Sequence, residues 1–329
     1  MDGQELLKRY QAGERDFARV NLMGANLKRM QLPGIDLTDA YLGAVNLSRA
    51  NLKGAILTRA FLFRADLSFA KIQESSLVDT DMTKADLTGA ELVKSILKGS
   101  KLSGAILKHV NLRLANLEGV NLCGANLQGI NFRSANLKNV NLSWANLSGA
   151  RMSGANLRGA ILNGIKLSEA YLNGVDLQGV ELDGVDLSEA KLSGANLSEA
   201  NLNAANLSYA QIRTAFMSRA NLQAANLASA NLSRSDLCEV NLAKANLAEA
   251  MLQGADLTGA NLNKANLSEA NLQQASLRNA YLWGANLHTV DLHATNLTGA
   301  NLRGAQWQDV NWQQAILSQT TMPDGAIAG

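Results

Sequence analysis

The side chains in this 329-residue chain that could ligate a metal, attack a carbonyl or relay a proton are few and scattered. The histidines are His109, His288 and His293, and the cysteines are Cys123 and Cys238. His288 and His293 flank Asp291, a set suited to zinc ligation or acid–base work if the three side chains converged in a concavity. Two cysteines are too few for a disulfide framework or a thiolate metal site. No Gly-rich phosphate loop leads from a strand into a helix, and no nucleophile signature occurs. The expectation is a non-enzyme, with no catalytic residue, no metal and no cofactor.

The elements that carry these residues follow a beat of five. From Phe17 to Met322 every fifth residue is large and apolar, mostly Leu, over about 62 units without a slip of phase. Two residues before it there is usually Ala or Val, with Ser75, Thr80, Ser95, Ser100, Ser235, Thr295 and Thr320 as small polar departures. Both positions are expected to face inward. An α-helix advances about 500° in five residues, so the Leu side chains would wander around its cylinder. In a straight strand an odd period would send successive Leu to opposite faces. The chain must therefore turn once per repeat, and stacking the turns buries one continuous Leu and Ala column.

The residue before each Leu is usually Asn or Asp, as at Asn26, Asp36, Asn46 and Asn51, and its side chain is expected to bond backbone groups at a corner. The only prolines, Pro33 and Pro323, lie near the two ends, where a ladder that needs its N–H donors tolerates them. Gln4 to Ala12 reads as a short amphipathic helix carrying Leu6 and Tyr10 on one face, stopped by Gly13. Hydrophobic residues make up 47% of the chain but aromatics only 5%, which suits a narrow core. A net charge of +2 leaves no global field to steer nucleic acid or imitate it. With no signal peptide and no membrane span, a soluble cytoplasmic protein is expected.

The Ala-(Asn/Asp)-Leu-x-x pattern, stated most cleanly from Ala195 to Leu207, resembles the pentapeptide-repeat family over about residues 15 to 325. The resemblance implies an all-β fold, a right-handed quadrilateral β-helix of about 15 coils with a short N-terminal capping α-helix. At about 4.8 Å per coil such a rod would be about 70 to 75 Å long. It divides the chain into a capping helix (1–14), one repeat domain (15–325) and a C-terminal tail (326–329). Family members often carry a helix over the first coil, which Gln4 to Ala12 matches. Trp307 and Trp312 replace Leu near the other end, either to close the last coils or to leave an edge for a homodimer through the C-terminal coils.

Twenty residues per implied coil give a register against which candidate sites can be tested. His109 falls some nine coils from His288 and His293, and Cys123 almost six coils from Cys238, beyond disulfide reach. Solvated histidines and surface thiols are expected. Ten aromatic residues lie outside the core positions, and six of them, Tyr41, Phe61, Phe63, Trp144, Tyr281 and Trp283, share one face, with Tyr41 stacked on Phe61. Such a face marks either a partner site or cross-coil packing. Between Glu91 and Gly164 nine basic residues stand against two acidic ones. Lys94, Arg113, Arg133 and Arg151 fall on one face and Lys98, Lys138 and Arg158 on the next, followed by an acidic stretch from Glu169 to Glu199.

The reading that best fits these features is a rigid, non-enzymatic scaffold for protein–protein interaction, its protein partner unknown. The resemblance also brings in relatives that imitate B-form DNA and modulate type II topoisomerases such as gyrase. Their dense acidic surfaces are a poor match to a near-neutral chain with a basic middle. Direct nucleic-acid binding through the basic faces is the third alternative and an unlikely one, since those faces lack the aromatic interleaving of single-strand binders.

Overall fold

Five backbone amides per repeat must each find an acceptor, and the way they do so sets the architecture. The computed structural model describes all 329 residues, and residues 126–130 display the scheme. Asn126 N–H donates to Ala105 O in the preceding turn (2.9 Å), while Leu127 N–H and Gly129 N–H donate to Asn146 O (2.8 Å) and Ser148 O (2.9 Å) in the following one. Ile130 N–H closes a tight turn on Leu127 O at 3.1 Å. The fifth amide, that of Gln128, has no backbone partner and donates instead to Asn126 Oδ1 at 3.3 Å.

The paired residues repeat at intervals of twenty: Asp16 with Asp36, Asn21 with Tyr41, Asn26 with Asn46 and Gln31 with Asn51, all parallel. Four bridges per turn make a four-sided parallel β-solenoid whose strands are reduced to single paired residues. The chain divides into two compact units, Met1–Lys166 and Leu167–Gly329. In the first, the ladder runs from Asp16–Asp36 to Asn146–Lys166. In the second it runs from Tyr171–Lys191 to Asn301–Thr321 and ends in an antiparallel bridge between Thr321 and Ile327.

The corner lies at the two residues after each Leu, and the second of these takes a positive φ, as at Lys94 (60°), Leu114 (62°) and Trp144 (61°). This is a type II-like turn, which favours Gly at that place. An L-residue held there costs on the order of 1–2 kcal/mol, offset in part by the ladder bond that its own N–H makes. Asn and Asp occupy the paired positions, and from there their side chains accept from the corner amide, as the sequence leads one to expect: Lys28, Thr38 and Ser48 N–H donate to Asn26, Asp36 and Asn46 Oδ1. The same geometry explains the prolines. Pro33 and Pro323 each sit directly after a core residue, the one slot whose N–H has no backbone partner, so it is the turn that admits them.

Inside each unit the columns are as expected: Leu side chains such as Leu117 and Leu222 and alanines such as Ala150 and Ala200 are fully buried. Each buried Leu contributes about 1.5–3 kcal/mol. The seven polar departures are buried too, and each hydroxyl donates to the carbonyl of the core residue 23 positions earlier, as Ser95 does to Ile72 (2.6 Å) and Thr80 to Leu57 (2.9 Å). At the far end the column opens. Trp307 is 47% exposed and Trp312 only half-buried, because no turn stacks above residues 307–317. The tail returns only along 319–322, where Ala328 accepts from Gln319 and donates to Thr320.

The helix, α1, spans Gly3–Gln11. Asp2 caps it by accepting from Glu5 N–H at 2.9 Å. Leu6 and Tyr10 are its buried residues, and Tyr10 donates its hydroxyl proton to Pro33 O at 2.7 Å. No helix is long and apolar enough to cross a membrane.

Candidate interaction surface

A residue placed at a paired position in place of Asn loses the side-chain acceptor for the corner amide and projects outward, so each such substitution spends a structural position on the surface. Tyr41 and Phe61 are two of these, paired directly with each other in the ladder of the first unit. Phe63 follows, its ring 6.1 Å from that of Phe61 and nearly parallel to it. Arg64 lays its guanidinium over Phe63 at 5.2 Å, a cation–π contact. Tyr41 is 54% exposed and Met23, one turn earlier, 57%.

Gly43 lies beneath this cluster. A Cβ there would stand 3.0 Å from Phe61 Cε1 and 3.3 Å from Met23 Cε, so the absent side chain lets both close over the backbone. Met23 and Gly43 belong to the patch although a scan for aromatics does not find them. Their signal is the column at intervals of twenty, Met23–Gly43–Phe63.

The other expected members of the aromatic face are not part of this cluster. Trp144 belongs to the same unit but sits at a corner four turns further along, lying over Gly164. Tyr281 and Trp283 belong to the second unit, where Lys264 Nζ stands 4.8 Å from the Trp283 ring.

Of the basic residues, Lys94, Arg113, Arg133 and Arg151 fall on the face whose paired column is Asn51, Lys71, Glu91, Asn111, Asn131 and Arg151. Lys53 and Lys71 extend that face, and the sequence window from Glu91 onward leaves both out. Lys98, Lys138 and Arg158 follow on the next face, and Lys98 pairs with Glu118 at 3.8 Å.

The residues with chemical potential do not assemble. No group of three His, Cys, Asp or Glu side chains is placed to hold a metal ion. His293 contributes its backbone N–H to Asp291 Oδ1 at 3.0 Å, and His288 lines an open depression beside Trp307. Burial tends to raise the Asp291 carboxyl, but hydrogen bonds from Gln273, His293 N–H and Asn311 outweigh it and hold the group below the usual range. Both cysteines are free and half-buried. Burial, then hydrogen bonds to Asp256 and Asp236, push the Cys238 thiol up to about 12, far from the thiolate a nucleophile needs.

A four-sided parallel solenoid with a five-residue repeat and outward departures from it defines a class of repeat proteins. The family model for pentapeptide repeats matches in successive stretches from residue 35 to residue 324, and the chain belongs to that family, whose members fold as right-handed quadrilateral β-helices. Among solved structures, HetL, a pentapeptide repeat protein involved in heterocyst differentiation regulation in the cyanobacterium Nostoc sp. strain PCC 7120, is 27% identical over 100% of both chains, with a TM-score of 0.20. A pentapeptide repeat protein of the Arabidopsis thaliana thylakoid lumen is 26% identical over 32% of this chain and 69% of its own, with a TM-score of 0.22. QnrB1, a plasmid-mediated fluoroquinolone resistance protein, is 20% identical over 63% of this chain and 83% of its own, with a TM-score of 0.21. No curated protein matches.

Proposed function

We propose that the protein is a non-enzymatic scaffold that binds a protein partner through the Met23–Tyr41–Phe61–Phe63 patch. The observation that carries this reading is the replacement of Asn by Tyr41 and Phe61 on adjacent turns over Gly43, an apolar cluster where the repeat needs a polar side chain. Large side chains of this kind are what interfaces draw on, and Arg64 over Phe63 gives the patch a cationic rim. The partner presents an apolar segment with an acidic edge.

The same reading takes residues 15–325 as one repeat domain of about 15 turns, supported by the unbroken phase, in a cytoplasmic protein. It assigns α1 the work of covering the first edge, supported by the burial of Leu6 and Tyr10. It also holds that the last turn joins a second copy of the chain in a homodimer, supported by the exposure of Trp307 and Ile316.

Affinity capture from cell extract with the wild type and with Phe61→Ser, Phe63→Ser tests the principal claim. The double variant is expected to lose a protein that the wild type retains while melting at a similar temperature. Equal recovery by both removes the patch from the account.

A further inference from the structure

One face of the first unit carries a cation on each of six consecutive turns: Lys53, Lys71, Lys94, Arg113, Arg133 and Arg151. Stacked turns lie about 4.8 Å apart, so the stripe runs about 24 Å. Only Lys53 of the six has an ion-pair partner, Glu74 at 3.8 Å. The other five side chains are all exposed. They are held by a paired backbone and, at Asn111, Asn131 and Glu91, by a side-chain ladder: Asn131 Nδ2 donates to Asn111 Oδ1 (3.1 Å) and Asn111 Nδ2 to Glu91 Oε2 (2.9 Å). An open groove of ≈ 460 Å³ lies among Lys71, Lys94, Arg113 and their neighbours.

The stripe is not uniformly polar. Leu114 stands beside Arg113 at the corner with φ 62° and is 43% exposed. The corner φ is shared by the whole repeat, but here it carries a large apolar side chain into water, as binding surfaces do. Val93, half-buried, lines the same groove.

We propose that this face binds an extended acidic peptide segment whose surface-facing residues, i, i+2 and i+4, include both Asp or Glu and an apolar residue. The cations on successive turns attract the acidic side chains, and Val93 and Leu114 receive the apolar ones. At about 3.3 Å per residue, about seven residues span the stripe. A nucleic acid fits less well. The stripe has no aromatic side chain on which bases could stack, and Val93 and Leu114 offer apolar contacts that a phosphate backbone has no group to use. This surface is independent of the aromatic patch, and its test does not depend on that reading.

Fluorescence anisotropy with the full chain decides the matter, using three labelled probes of equal charge: a Glu/Leu peptide with Glu at i and i+4 and Leu at i+2, so that both share one face, a Glu/Ser peptide with Ser in place of each Leu, and a single-stranded oligonucleotide. The Glu/Leu peptide is expected to bind at least roughly tenfold more tightly than either of the others and to weaken as salt is added. Arg113→Glu with Arg133→Glu should abolish binding. Leu114→Gly should weaken it about tenfold while melting no lower than the wild type, because glycine relieves the corner. The proposal is overturned if the oligonucleotide or the Glu/Ser peptide binds equally well, if the Glu/Leu peptide does not bind, or if Leu114→Gly leaves affinity unchanged.

Discussion

The indole of Trp144 lies on Gly164: a Cβ added to that glycine would stand 2.4 Å from Trp144 Cε3. The relationship recurs where Phe69 covers Gly89 and His109 covers Gly129, at 2.6 and 2.5 Å. Corners twenty residues apart are stacked, so at these three places the ring occupies the space that a side chain on the next turn would need. Gly164 also holds φ 62°, and the two requirements are separable. Gly164→Ala is expected to cost about 1–2 kcal/mol from the backbone alone and more from the displaced indole. In a Trp144→Ala background only the backbone part should remain. Urea denaturation of the four proteins measures both, and equal losses in the two backgrounds would show that the contact carries no energy.

The side-chain ladder makes a second prediction at Asn241. Its Oδ1 accepts from Ala243 N–H (3.2 Å) and from Asn261 Nδ2 (3.3 Å), while its Nδ2 donates to Asn221 Oδ1 (3.0 Å). Asn241→Ala leaves the Ala243 amide without its acceptor and should cost about 1–3 kcal/mol. Asn241→Asp keeps the acceptor and gives up one donor, so its loss should be smaller. Denaturation midpoints rank the two, and the reverse order would mean that the corner amide does not depend on this side chain.

Cys238 and Asp256 oppose each other in pH dependence. Burial first, then hydrogen bonds to Asp256 and Asp236, push the thiol up to about 12 in the fold, above the ordinary value near 8.5. Its contribution to stability is therefore complete below about pH 8.5 and is lost as pH rises towards 12. At Asp256 burial raises the carboxyl, but hydrogen bonds led by the Thr258 hydroxyl prevail and lower it. Its contribution is present above the ordinary carboxylate range and fades as acid takes the pH down through the folded value. In a Cys123→Ser protein, Cys238 should react with a disulfide reagent at pH 8 much more slowly than a free thiol. Reaction at the free-thiol rate would contradict the half-buried, Asp-facing placement.

The last turn supplies a test by mass. Trp307 and Trp312 meet edge-on with ring centroids 6.0 Å apart, on a turn with no neighbour above 307–317. Light scattering is expected to give twice the chain mass, and Trp307→Glu should return it to that of one chain. A wild-type protein that scatters as one chain at all concentrations rules out the dimer.

Much of this was legible in the spacing of residues. The Leu and Ala columns, the inward-facing Ser95 and Thr80, and the helix near Gln4 to Ala12 follow from period and polarity, because burial selects residue type directly. The corner was not legible. Lys94, Leu114 and Trp144 look like ordinary solvent-facing residues, and nothing in their chemistry announces a positive φ imposed by the ladder. Asn126 could be read as a backbone-bonding residue, but its true place, paired and reaching forward to the amide of Gln128, depends on which residue turns. For the surface, the register aligned Tyr41, Phe61 and Phe63 correctly. Met23 and Gly43 escaped because an apolar patch is built from whatever fills the space, including a missing side chain. Trp307 departed from the core column because burial depends on a neighbour twenty residues ahead, which it lacks.

The central claim, that recognition resides in outward departures from the repeat, is tested most directly by hydrogen exchange of the full chain with and without the captured partner. Gly43 and Phe63 carry corner amides with no Asn acceptor before them, so they exchange readily when the patch is uncovered. The account predicts slowed exchange at residues 41–44 and 61–64 on binding, with the Asn-supported turns of the second unit unchanged. Protection confined to other turns, or spread evenly along the repeat, would contradict it.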